Sequence, residues 1–390
     1  MEDNKLNIVM FPWLAFGHML PFLELSKRLA TKGHHIFFVS TPRNLERLPN
    51  IPKNIAPLIT LVPLPLPRVE NLPPNAEATT DDNGPAADSL TNAEFPPWIP
   101  FPKSTVYFLP NEARIFLKNL TAKTSSGVSD LFRFKTVCNS SDLVVVRGCL
   151  ELEAKYLQLV DELIAEKPVL PVGLLPPSME ESSENEDAQN SIFGWLEKQR
   201  SGSVVYVALG SEVEVSQEQL TELALGLELS KLPFLWALRR SVGSSVELPD
   251  GFVERTRDRG LVWTSWAPQL KILQHDSVGG FLTHAGFSST IETLMFGKPS
   301  IMLPLMLDQG INARFLEEKR VGIEIPRNKE DGSFTRNSVA QSLALVLQDE
   351  AGKMYRNEAK KYSPIIANES LHDKYIDELI DHLYDYKSET

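Results

Sequence analysis

A chain of 390 residues is long enough for about two domains, each with its own core. Its 42% hydrophobic and 23% charged content is that of an ordinary globular protein. A net charge of -12 argues against nucleic-acid and anionic-membrane partners, and only two cysteines, Cys138 and Cys149, imply no disulfide framework, so the chain reads as cytoplasmic.

Residues 7–11 are a short apolar run of the kind that forms a buried parallel strand. Acidic residues precede it and no small-residue cleavage site follows, so a strand is preferred to a signal peptide. No apolar run approaches the ~18 residues of a membrane span. A loop over residues 12–17 leads to a helix beginning at His18, where Leu20, Phe22, Leu23, Leu25, Leu29 and Ala30 recur at helical spacing. Gly33 ends it, and residues 35–40 read as the next strand. This is a βαβ unit, hence a parallel sheet. Residues 61–67 and 95–102 are Pro-rich and apolar: polyproline-like connectors, or the lining of an apolar pocket. Residues 176–190, PPSMEESSENEDAQN, form an acidic linker.

The pattern then repeats. Residues 203–209 are a strand ending in Gly210-Ser211, and residues 216–229 are helical. Further strands fall at 234–238, 262–264, 278–282 and 300–303, and helical periodicity returns at 339–347 and 375–384. The expected architecture is α/β, with two Rossmann-like parallel-sheet domains facing across a cleft. Their expected bounds are 1–175 and 191–360, joined by a linker at 176–190, with 361–390 as a helix returning to the first domain.

The most informative stretch is residues 266–309, WAPQLKILQHDSVGGFLTHAGFSSTIETLMFGKPSIMLPLMLDQ. Residues 283–286 turn into a helix running through Glu292. Unpaired N–H groups and the partial positive charge at a helix N-terminus make an anion site. Gly286 allows close backbone approach, Ser288 and Ser289 add hydroxyls, and His284 adds a ring N–H, so a pyrophosphate is expected there. Glu292 lies at i+4 from Ser288 and can accept both ribose hydroxyls. Trp266 offers a flat face to a base, worth ~1–3 kcal/mol if it stacks as in nucleic-acid sites. Asp308-Gln309 follows a strand-like run, at the end where open α/β sheets place ligands. Taken singly, each residue has an ordinary reading: rim tryptophan, turn histidine, solvated glutamate, loop acid. In this order and spacing they form the inventory of a nucleotide-sugar site.

The stretch closely resembles the signature box of plant secondary-product UDP-glycosyltransferases, inverting enzymes of the GT-B fold. The resemblance implies that Trp266 stacks on uracil while Ala267 and Gln269 contact the nucleoside. His284, Gly286, Ser288 and Ser289 would hold the diphosphate, with Gly17 and Ser211 as further donor contacts. Glu292 would bind ribose, and Asp308 and Gln309 the sugar. The chain departs from the pattern at Ser288, where Asn is common, and at Ala285-Gly286-Phe287, where Cys-Gly-Trp is commoner. The resemblance covers nearly the whole chain. It is nearest the branch of UDP-rhamnose:rhamnosyltransferases and sugar-on-sugar enzymes, on FPWLAFGHMLPFLELSKRLA (11–30) and PRNKEDGSFT (326–335).

Transfer to a hydroxyl needs a base near neutrality, which histidine suits. His18 stands after the first strand, beside Gly17, where the resemblance places the catalytic base. His34 and His35 read as structural, and His372 and His382 as surface residues. No Asp-x-Asp pair accompanies the box, so no metal or other cofactor is expected and the UDP-sugar is a co-substrate. Relatives orient the histidine with an aspartate in a strand-bearing block. That block is absent here after about residue 81, and Asp81 and Asp82 are poor substitutes. Two readings follow. One is a monomeric enzyme moving glucose or rhamnose to a small flavonoid or terpenoid acceptor. The other is a UDP-sugar-binding remnant without turnover.

Overall fold

The structure, a computed structural model, describes residues 5–67, 77–78, 105–124, 127–164, 167–179, 186–210, 213, 215–239 and 246–389. The first half runs β1 (Asn7–Met10), α1 (Phe16–Thr31), β2 (His35–Ser40), α2 (Pro42–Glu46), β3 (Ile59–Pro63), α3 (Pro110–Thr121), α4 (Asp130–Ser140), β4 (Val144–Val146), α5 (Leu150–Leu163) and β5 (Val169–Pro171). Next come α6 (Glu186–Leu196), β6 (Val204–Ala208), α7 (Gln217–Ser230), β7 (Phe234–Ala237), α8 (Phe252–Thr256), β8 (Gly260–Trp263) and α9 (Gln269–Gln274). The rest is β9 (Val278–Thr283), α10 (Phe287–Met295), β10 (Ser300–Met302), α11 (Gln309–Glu318), β11 (Gly322–Glu324), α12 (Arg336–Leu347), α13 (Lys353–Ile366) and α14 (Glu369–Glu389). Two compact units result: Met1–Ala87 with Asn119–Ser182 and Ile365–Thr390, and Asp88–Lys118 with Ser183–Pro364.

The second unit is built on a six-stranded parallel sheet in the order β11-β10-β9-β6-β7-β8. β6 alternates its side chains between two cores. Val205 and Val207 meet Leu220, Leu223 and Leu227 of α7, while Val204, Tyr206 and Ala208 meet Phe281 and Ile272. Both faces of the sheet are therefore covered, as parallel sheets require. Capping boxes at Ser216 and Thr335 start α7 and α12. The two helices pack closely at Gly226, where a Cβ would stand 2.5 Å from Val339 Cβ. The chain leaves β6 toward β7 on one side and resumes at β9 on the other. The β6/β9 boundary is thus the point of reversal where doubly wound sheets open a crevice at their carboxyl ends.

Residues 105–118 depart from the expected first-domain boundary and belong to this unit. The cause is polar docking: the Arg314 Nε donates to the Tyr107 carbonyl at 2.5 Å, Arg327 bonds Glu112 at 2.5 Å, and the Asn111 amide donates to the Lys329 carbonyl at 3.4 Å.

In the first unit, β1, β2 and β3 form a parallel sheet, and β4 pairs with β5 separately. α1 turns Met19, Leu23, Leu29 and Ala30 inward against Ile36 and Phe38. Pro21 lacks the N–H that would bond the Gly17 carbonyl, so the first turn of α1 is incompletely tied. Ile376, Leu379 and Ile380 of α14 join the same core, and Arg28–Asp373 (2.9 Å) and Lys32–Asp377 (2.6 Å) pair α1 with α14 along one face. His34 is buried, its Nδ1 accepting from the Leu6 amide at 3.3 Å. His372 was expected at the surface but is 0% exposed. Its Nδ1 accepts from the Leu174 amide (3.4 Å) and its Nε2 lies 2.9 Å from the Ile366 carbonyl. Burial on the first unit overrides the exposed position that an isolated terminal helix would have given it.

Among the described residues β1 pairs on one side only, and one face of its sheet lacks cover. Val9 is 66% exposed and sits in register beside Phe37, which is also exposed. An open apolar edge of this kind templates association. Val9→Lys should therefore lower the aggregated fraction of the purified chain, measured by light scattering at fixed concentration, and change folding free energy by less than about 0.5 kcal/mol. An unchanged aggregated fraction would show that this face does not drive association.

Candidate functional site

The last paired residues of β6, β9 and β10 are Ala208, Thr283 and Met302, so three strands of the second unit end level. The chain leaves β9 through His284, Ala285 and Gly286 directly into α10. Ala285 is buried with φ 64, a left-handed conformation that costs a non-glycine residue of order 1–3 kcal/mol. Its carbonyl is held by Asn312 Nδ2 at 3.0 Å. This tight turn brings Gly286 to the helix cap with no capping side chain, and the first turn holds Ser288 and Ser289 but no acid. The N-terminal end of α10 therefore presents backbone donors and positive dipole at the switch point of the sheet.

The His284 ring occupies a slot between two glycines. A Cβ on Gly210 would stand 2.8 Å from it, and one on Gly286 2.5 Å. Gly210 also needs its φ of +84, so two requirements coincide there. Thr283 Oγ1 lies 3.4 Å from His284 Nδ1. Burial depresses the ring to about 4, so it is neutral at pH 7 and offers one N–H.

On the same unit, Gln269 opens α9, and its Nε2 donates to Glu292 Oε2 at 2.6 Å. Tyr206 donates to Gln269 Oε1 at 3.3 Å. Burial, and then the neighbouring Glu292 charge, push the Tyr206 phenol upward, so it stays a donor; Arg239 opposes the shift. Tyr206, which stacks on Phe281 with ring centroids 4.9 Å apart, was not anticipated. The signal was present: a tyrosine inside the fully buried VVYVA strand needs a partner for its hydroxyl. Trp266 is 44% exposed, and its carbonyl accepts from Trp263 Nε1 at 3.0 Å. Ala267 packs against the core beneath.

After β10 the chain forms a second strained turn, with Leu307 at φ 53. Asp308 is exposed, and its Oδ2 accepts from Asn312 Nδ2 at 3.0 Å. Gln309 is 6% exposed, and its Oε1 accepts from the Leu305 and Met306 amides at 2.9 and 3.0 Å. One end of this carboxamide closes the loop, leaving Nε2 as its donor. Asn312, also unanticipated, bonds both Ala285 and Asp308 and so ties the two strained turns together. Its i+4 spacing from Asp308 was the available clue.

The structure thus gathers Trp266, Ala267, Gln269, His284, Gly286, Ser288, Ser289, Glu292, Asp308 and Gln309 on one unit. Gly17 and His18 belong to the other. Both are exposed in the first turn of α1, and the His18 backbone amide bonds the Ala15 carbonyl at 2.9 Å. Ser211, Asp81 and Asp82 lie outside the described residues. Among the described residues no three His, Cys, Asp or Glu side chains are placed to share a metal ion, and no helix is long and apolar enough to cross a membrane.

Residues 183–373 match the family described as UDP-glucoronosyl and UDP-glucosyl transferase. UDP-glycosyltransferase 91D2 of Stevia rebaudiana is 42% identical over 463 aligned residues, which take in 98% of this chain and 96% of the relative. The chain belongs to the UDP-glycosyltransferase family. Soyasaponin III rhamnosyltransferase of Glycine max is 38% identical, over 99% of this chain and 97% of its own. Among solved structures, Arabidopsis thaliana UGT89C1 complexed with UDP-L-rhamnose superposes with TM-score 0.74 at 23% identity, covering 97% of this chain and 99% of that one. At that identity the likeness establishes the fold, which is GT-B. This glycosyltransferase is also shorter than its relatives: 463 aligned positions against 390 residues leave stretches of the relative without a counterpart.

The His284 environment gives a pH signature. The unfolded ring titrates at the ordinary 6.5 and the folded ring at about 4, so the unfolded chain binds the extra proton between those values. The stability contributed by the neutral ring is complete above pH 6.5 and is lost as pH falls toward 4. Urea unfolding across this range should show a slope that His284→Asn lacks, of at most ~1.36 kcal/mol per pH unit for one site. Equal slopes in the two proteins would mean that the ring is solvated.

Proposed function

We propose that this UDP-glycosyltransferase moves glucose or rhamnose from its UDP-sugar to a hydroxyl of a small plant metabolite or glycoside, of flavonoid or terpenoid class, with inversion at the anomeric carbon. The observation that carries the reading is the Gln269–Glu292 hydrogen bond of 2.6 Å on α10, whose cap residue Gly286 makes no side-chain cap hydrogen bond. Glu292 lies one turn beyond Ser288, so one helix offers diphosphate and ribose groups at the spacing a nucleotide needs. Trp266 stacks on the uracil, Ala267 and Gln269 meet the nucleoside, and Glu292 accepts the ribose hydroxyls. His284, Gly286, Ser288 and Ser289 hold the diphosphate, and Asp308 and Gln309 Nε2 meet the sugar.

The chemistry is a single displacement. His18 removes the acceptor hydroxyl proton as the oxygen bonds to the anomeric carbon. The bond from that carbon to the diphosphate breaks in the same step, and UDP leaves with its new charge held by the α10 amides. The reading invokes no metal. Rhamnose is kept beside glucose because one relative is named a rhamnosyltransferase and one fold neighbour was solved with UDP-L-rhamnose.

A second reading, UDP-sugar binding without turnover, is favoured by the relatives' extra length and by the uncovered sheet of the first unit. Without an orienting carboxylate a catalytic histidine loses efficiency; in the serine-protease triad that loss is ~10⁴ in rate.

Two measurements test these readings. UDP at about 100 times its Kd should stabilise the chain by ~2.7 kcal/mol, seen as a higher melting temperature, and Glu292→Ala should abolish the rise. The full chain, given UDP-glucose or UDP-rhamnose with a flavonoid monoglycoside or a diterpenoid glycoside, should yield a product by mass spectrometry that His18→Ala does not. Retained UDP binding with no product from any pair would favour the binding-only reading.

A further inference from the structure

Glu112 of α3 enters a nearly dry ionic cluster with Arg314, Glu324 and Arg327, whose side chains are 3–12% exposed. Arg314 pairs with Glu112 and, at 2.9 Å, with Glu324. Arg327 Nη2 lies 2.5 Å from both Glu112 Oε1 and Glu324 Oε1. Two carboxylates and two guanidiniums balance, and each carboxylate meets both cations. Such a group is costly to desolvate and is weak evidence for stability, so its placement is the informative fact.

That placement brackets the turn carrying Asp308 and Gln309. At the start of the turn, Arg327 Nη1 donates to the Pro304 carbonyl at 2.9 Å. At its end, the Glu112 carboxylate lies against Gly310, where any Cβ would collide with it. Arg314 lies on α11, the helix that begins at Gln309. The turn contains the strained Leu307, whose conformation needs outside support. Its internal support is the Gln309 side chain, which bonds the Leu305 and Met306 amides.

We propose that Glu112 is a positioning residue for the sugar end of the donor site, acting through Arg314, Arg327 and Gly310 to set the turn from Pro304 to Gln309. The proposal rests on the reading of Asp308 and Gln309 as sugar contacts. Residues 105–118 thereby serve the donor unit, although their place in the chain suggested the other domain. Glu112 acts through its contacts with Arg314, Arg327 and Gly310, and its effect is selective because, on that reading, nucleotide and diphosphate are held by Gln269, Glu292 and α10.

The test is titration calorimetry of the full chain with UDP, UDP-glucose and UDP-rhamnose. Glu112→Gln keeps the side-chain volume and removes the charge. It should weaken the better-bound UDP-sugar about tenfold, the scale of a lost hydrogen bond to a charged group, and leave UDP affinity unchanged. Glu112→Asp should recover part of the loss. Equal weakening of UDP and UDP-sugar, or of neither, would overturn the proposal, because a purely structural role spreads over both. Asp308→Ala separates the two levels. If it loses UDP-sugar affinity selectively while Glu112→Gln does not, only the positioning role fails. If Asp308→Ala leaves the selectivity intact, the reading of the turn as a sugar contact fails, and the proposal with it. UDP binding itself reports folding; if Glu112→Gln does not fold, Gly310→Ala disturbs the same carboxylate and is judged by the same outcomes.

Discussion

The entire site depends on one backbone constraint, the direct passage of β9 into α10 through a left-handed Ala285. A relaxed connection would take more residues and would let a side chain cap the helix. Here the strain is held by the Asn312 hydrogen bond to the Ala285 carbonyl at 3.0 Å. The reward is a helix start with no side-chain cap and no acid in its first turn, set level with the carboxyl ends of β6 and β10. Helix amides in that position are satisfied best by an anion.

On the proposed reading, an acidic protein that binds an acidic donor must supply its attraction locally. At a net charge of -12 the field of the whole chain repels UDP. The site therefore uses dipoles and neutral donors. His284 is kept uncharged by burial, Tyr206 is kept protonated by burial and by Glu292, and Gln269 links Tyr206 to Glu292.

The two units are unequally finished. The second covers both faces of a six-stranded sheet. Among the described residues, the first divides its strands into three and two and leaves Val9 and Phe37 exposed. The aligned relative contains stretches without a counterpart in this chain.

Much of the fold was legible because its signals are local. The apolar run at 7–11, the periodicity after His18 and the contiguous box from Trp266 to Gln309 each declare an element or a chemistry within a few turns of chain. Tyr206 and Asn312 were missed because each looks ordinary until a partner 63 or 27 residues away in sequence is brought to its polar atom. His372 was misread because a terminal helix looks exposed until Leu174, 198 residues distant, closes over it. By itself, then, the sequence determined the α/β alternation, the family and which residues stand together in the stretch from Trp266 to Gln309, because spacing along one strand–turn–helix sets them. Only the tertiary structure decided which unit residues 105–118 join, which histidines lose solvent and how the two strained turns are tied. Those outcomes depend on ion pairs and hydrogen bonds between segments far apart in the chain, which no local pattern encodes.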